Sequence, residues 1–69
     1  MEKIKISGDF IKLDSLLKYA SLTASGGEAK RAILDGLVSL NGEVCQMRGK
    51  KIYPGDLVSF YGTDLQVEK

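Results

Sequence analysis

Gly26 and Gly27 lead into Lys30 and Arg31 within SGGEAKRAILDG, residues 25–36, and that order of residue types is suited to holding an anion. Phosphate binding needs cations and free backbone N–H groups converging on one face, and the first turn of a helix supplies such groups. Two glycines bring the backbone close and leave its amides sterically open, with Ser25 before them and Lys30 and Arg31 placed to flank a bound group. The same residues also fit a tight turn between two helices followed by solvated cations, and the stretch alone leaves both readings open. A second concentration of positive charge is RGKK, where Arg48, Lys50 and Lys51 surround Gly49. By itself it reads either as a flexible clamp on a phosphate backbone or as a solubilising loop.

Other chemistry is poorly provided for. With no histidine and one cysteine, neither a structural zinc site nor a Ser-His or Cys-His nucleophile pair is available. Nine carboxylates remain, but no pair is marked out by apolar surroundings that would push two pKa values apart. The expectation is therefore a protein without catalysis and without a cofactor. Cys45 reads as a small hydrophobe buried in a strand, and Asp14 and Asp56 as structural residues near a helix start and in the PGD turn. Tyr53 and Tyr61 read as half-buried rings with wet hydroxyls in preference to stacking platforms for bases, and Tyr19 as packing.

Positioning these residues falls to 69 residues, enough for one small domain over 1–69 with a marginal core. A hydrophobic content of 43% and a charged content of 28% are those of an ordinary globular chain. The apolar runs are too short for a bilayer, and the first ten residues alternate and carry charge, so a cytoplasmic protein is expected. Net charge is only +1, yet between Lys12 and Lys51 seven cations stand against four anions. A basic surface must therefore come from the fold gathering them.

KIKIS alternates as a half-buried strand, and Gly8-Asp9 breaks it. Leu13, Leu16, Leu17 and Ala20 form one apolar helical face, which predicts a helix over about 13–21. Ser25 and Glu28 have capping-box spacing, with Ser25 accepting an early N–H and Glu28 reaching back to the Ser25 N–H. The second helix then runs over about 26–35 and stops at Gly36. Cations in its first half are slightly unfavourable to the helix itself, which hints that they serve something outside it. LVSLNGEVCQ predicts a hairpin turning at Asn41-Gly42, MRGKKIY a loop, and PGD a turn into a strand through Leu57, Val58 and Phe60. LQVEK is either a last edge strand or a fraying tail. The fold class is α+β, two packed helices followed by a hairpin and closing strands, with a strand at the N-terminus.

In that order the residues resemble a known family. IKLDSLLKYASLTASGGEAKRAILDGLVSLNGEV and KIYPGDLV are similar to the small RNA-binding domain named after ribosomal small-subunit protein four, the S-four domain. The pattern is LD opening the first helix, S-x-x-EAK opening the second, the helix-ending glycine, the LNG hairpin and PGD before the closing strand. It covers residues 11–58, and the added SGG and RGKK resemble the short stand-alone bacterial form, the YbcJ-like type. The resemblance implies binding of structured RNA, ribosomal or transfer RNA, by a monomer working alone or with the ribosome or another ribonucleoprotein. It also implies that Lys12, Ser25, Gly26, Gly27, Lys30, Arg31, Arg48, Lys50 and Lys51 form the RNA-binding face. Three positions depart from the family's habit: Gly26 and Glu43 stand where basic residues are frequent, and Lys12 replaces an arginine. The competing expectation is a protein-interaction module accessory to a ribosome-associated or RNA-processing complex.

Overall fold

The order along the chain is β1 (Glu2–Lys5), β2 (Ile11–Lys12), α1 (Leu13–Tyr19), α2 (Gly26–Leu34), β3 (Val38–Leu40), β4 (Glu43–Val44), β5 (Lys51–Ile52), β6 (Leu57–Phe60) and β7 (Thr63–Glu68) in the computed structural model, which describes residues 1–69. Five strands form one sheet in the order β1-β7-β6-β3-β4, with β1 parallel to β7 and the other pairs antiparallel. The two-residue strands β2 and β5 pair separately. The fold is a small α+β domain, as its pattern of elements predicts.

Leu13, Leu16 and Leu17 put the apolar stripe of α1 wholly out of solvent, and Ala29, Ala32 and Ile33 bury that of α2. They meet Val38, Ile52, Val58, Phe60 and Val67 in one core. Helix α1 ends at Tyr19, two residues before its apolar spacing suggests. Ser21 takes φ +60°, and the N–H groups of Leu22 and Thr23 both return to the Leu17 carbonyl. Helix α2 is capped as expected on one arm, with the Glu28 N–H donating to Ser25 Oγ at 3.2 Å. The return arm lands one residue earlier than expected, on the Ala24 N–H at 3.4 Å. At its far end the Gly36 N–H donates to the Ile33 carbonyl and the Leu37 N–H to the Ala32 carbonyl, with Gly36 at φ +79°. That is the Schellman closure a left-handed glycine permits.

The hairpin β3–β4 turns through Asn41 and Gly42 at φ +51° and +88°, the paired positive angles a two-residue turn needs. Tyr61 and Gly62 turn β6 into β7 in the same way, at +49° and +78°. LQVEK is neither edge nor tail. It belongs to β7, which lies between β6 and β1 and buries Leu65 and Val67. Three side chains differ from expectation. Tyr61 is 76% exposed because it sits at the turn. Tyr19 is also largely exposed, and its hydroxyl donates to the Lys5 carbonyl at 3.2 Å, latching α1 to β1. Cys45 follows β4 instead of lying in it, and is half-buried against the core.

Candidate nucleic-acid interface

Ile52 explains how the basic loop is held. It is fully buried and stands opposite Ile11 in the β2–β5 pair, so the next pair in register, Lys12 and Lys51, takes the other face. Immediately after Lys12 the chain enters α1, and Lys12 as N-cap offers no side-chain acceptor. The loop supplies carbonyls instead: the Leu13 N–H donates to Lys50 O at 2.9 Å and the Asp14 N–H to Arg48 O at 3.1 Å. A turn in which the Lys50 N–H donates to Met47 O keeps the loop tight. Lys12, Arg48, Lys50 and Lys51 thus surround the start of α1, all four exposed.

None of these four is in an ion pair. The chain's salt bridges are Arg31 to Asp35 at 3.3 Å and Lys69 to Asp9 at 3.2 Å. Like charges directly opposite in an antiparallel pair are destabilising, and cations at a helix N-terminus are unfavourable as well. The Asp14 carboxylate in the first turn of α1 offsets part of the second cost, although none of the four cations is ion-paired. An anion at this end of α1 would offset both. It would meet side chains and not amides, because the Leu13 and Asp14 N–H groups are occupied and the Ser15 N–H donates to Asp14 Oδ1 at 2.7 Å.

The second group of residues lies on α2. Ser25 Oγ is engaged as the cap, while the Gly26 and Gly27 amides have no acceptor in the chain. A Cβ at Gly26 would meet no atom within 4 Å, and one at Gly27 only Ser25 Oγ at 3.9 Å. Nothing in the packing asks for glycine at either position. Lys30 is exposed and unpaired, whereas Arg31 Nε is held by Asp35. Such a surface pair contributes about 0.5 kcal/mol or less, so it yields readily to a stronger anion.

Gln46 joins the loop to the other end of α2, its Nε2 donating to Leu34 O at 3.0 Å. At about 1.5 Å per residue, Lys30 stands roughly 6 Å and Gly26 roughly 12 Å along the axis from that anchor. The fold therefore brings Lys12, Arg48, Lys50 and Lys51 together. Ser25, Gly26, Gly27, Lys30 and Arg31 form a second group at and after the α2 N-cap, with no register, hydrogen bond or ion pair between it and the first.

The LNG and PGD motifs prove to be one structural knot. Asn41 Oδ1 accepts from the Leu57 N–H at 2.9 Å, and its Nδ2 donates to Asp56 Oδ1 at 3.2 Å. Asp56 Oδ2 in turn accepts from the Tyr53 N–H at 2.8 Å, fixing the chain as it leaves β5. Asp14 and Asp56 serve local structure, as their positions suggest. Phe10 also belongs to this region, although no sequence motif marks it. Its ring lies 6.0 Å from that of Tyr53, with Lys51 Nζ 4.8 Å above it. The signal it does leave is the alternation in Phe10-Ile11-Lys12 and Lys51-Ile52-Tyr53, each with an apolar residue between two outward ones.

No group of three or more His, Cys, Asp or Glu side chains is arranged to hold a metal ion, and no helix is long and apolar enough to cross a membrane. Comparison with known proteins bears on the family and the fold. The sequence model of the S4 domain matches residues 4–68. Over 59 residues the chain is 39% identical to "Probable ribosome maturation protein RlbA" of Bacillus subtilis (strain 168), covering 86% of this chain and 83% of that one. It is 40% identical over 57 residues to YbcJ of Escherichia coli (strain K12), covering 83% and 81%. The solution structure of YbcJ from E. coli, described as revealing an αL motif involved in RNA-binding, matches with a TM-score of 0.76 at 34% identity, over 100% of this chain and 89% of that one.

Proposed function

The chain belongs to the S4-domain family of non-catalytic RNA-binding domains, and from that premise we propose that it binds structured RNA, ribosomal RNA first, through the cations at the start of α1. The observation that carries this is the Lys12–Lys51 register, closed by the Lys50 and Arg48 carbonyls on α1. It gathers four cations, none of them in an ion pair. Lys30, Arg31 and the open Gly26 and Gly27 amides of α2 form a second contact on the same RNA, with Ser25 holding the turn that presents them. These are positioning contacts to phosphate, so RNA shape is read in preference to base sequence. Ribosomal RNA is favoured over transfer RNA because of the ribosome maturation named for the relative in B. subtilis. The working form is a cytoplasmic monomer, one unit over residues 1–69, acting with the ribosome or a ribonucleoprotein precursor.

The test is a salt-titrated binding assay with folded ribosomal and transfer RNA fragments. If about four phosphates are engaged, log affinity falls against log salt with a slope of about −3. The Arg48→Ala/Lys50→Ala/Lys51→Ala variant flattens that slope by about 0.7–0.9 per lost contact. Lys30→Ala/Arg31→Ala weakens binding with a smaller change in slope. Undiminished binding by the triple variant refutes the site. Wild type that binds neither RNA at low salt directs attention to a protein-interaction module.

A further inference from the structure

Phe10 and Tyr53 lie one step beyond the paired register of β2 and β5, on the face that carries Lys12 and Lys51. Their rings tilt by 51° to each other and are 39% and 47% exposed. Two exposed aromatic rings beside two cations outside any ion pair, Lys51 over one face of the Phe10 ring, supply what a nucleotide outside a helix needs. The rings offer a flat π-surface for the base, and the cations offer charge for the phosphate next to it. Phe10 also lines an open groove of about 330 Å³ with Ile6, Ser7, Gly8, Ile11 and Tyr19. That volume is at the lower end of the ~300–1,000 Å³ range of ligand pockets and suits one planar ring. Four of its six lining residues are apolar, Ser7 and Gly8 are the others, and Tyr53 stands outside it, on the other side of the ring pair's contact.

We propose that Phe10 and Tyr53 form a stacking site for one unpaired nucleobase, so that the RNA gripped at the start of α1 carries a bulged or loop nucleotide beside its paired stem. The inference rests on the RNA-binding reading above and narrows it. Phosphate contacts can tell stems apart by shape but offer nothing to the face of a base, so only the rings would quench a bulged base. A base inside an intact helix has no free face to present to Phe10, whereas a bulged one does. The site therefore turns a shape-reading surface into one that selects stems with an interruption.

The test compares two synthetic RNA hairpins, one fully paired and one with a single bulged 2-aminopurine nucleotide, against wild type and four variants. Phe10→Leu and Tyr53→Leu keep an apolar side chain and remove the π-face, Tyr53→Phe keeps the ring, and Lys12→Ala removes a cation. Circular dichroism checks that each is folded. Wild type is expected to bind the bulged hairpin about tenfold more tightly and to quench the 2-aminopurine. Both leucine variants lose the preference and the quenching while keeping the salt slope, and Tyr53→Phe keeps all three. Lys12→Ala weakens both hairpins alike and flattens the slope. Equal affinity of wild type for the two hairpins, or a preference that survives Phe10→Leu, overturns the stacking site and leaves RNA binding standing. Wild type that binds neither hairpin at low salt overturns both.

Discussion

Asn41 holds the Leu57 N–H through Oδ1 and Asp56 through Nδ2 while its own backbone stands at φ +51°. Its role lies within the fold, even though the turn it makes is exposed. Asn41→Ala removes both hydrogen bonds and places alanine in a conformation it resists, so stability falls by about 1–3 kcal/mol. Urea unfolding measures this as a lower midpoint at unchanged slope. Gly26 and Gly36 give the opposite pair. Gly36 is at φ +79°, and Gly36→Ala costs about 1–2 kcal/mol. Gly26 has no positive φ and no neighbour within 4 Å, so Gly26→Ala is neutral or stabilises by up to about 1 kcal/mol. Thermal melts of the two variants separate a glycine the backbone requires from one that neither backbone nor packing requires.

At the scale of elements, β7 decides whether the sheet forms. It pairs on one side with β6 and on the other with β1, and Val67 is 1% exposed. Val67→Asp buries a charge without a partner in a domain whose net stability is about 3–5 kcal/mol, and the chain unfolds. Loss of amide dispersion in an NMR spectrum reports it. A fraying tail would tolerate the change. This strand also shows which parts of the fold were legible. Helices α1 and α2 and the β3–β4 hairpin announce themselves through local signals: leucines three and four apart, Ser25 with Glu28, and Asn41-Gly42. The β1–β7 pairing sets Ile4 beside Val67, and no local pattern reports a partner that distant. Strands β2 and β5 are two residues each, too short to show a period, so MRGKKIY read as a loop. The candidate site inherits that blindness. Its cations were visible as residue types, but the register that puts Lys12 opposite Lys51 was not, nor was the place of Phe10 beside Tyr53.

For the whole molecule, a net charge of +1 on a body of 28 × 22 × 18 Å gives little long-range attraction for RNA. Binding must then come from where the charge is placed. Lys12, Arg48, Lys50 and Lys51 are concentrated at one end of α1, and the ion pairs lie elsewhere, at Arg31–Asp35 and Lys69–Asp9. The most direct measurement is an amide NMR titration of the isotopically labelled protein with a folded ribosomal RNA fragment at low salt. Shifts concentrated at Lys12–Asp14 and Arg48–Lys51, with a second set at Gly26–Arg31 and little change in β1 and β7, are the predicted result. Shifts confined to the sheet, or absent from Arg48–Lys51, would contradict the placement of RNA at the start of α1.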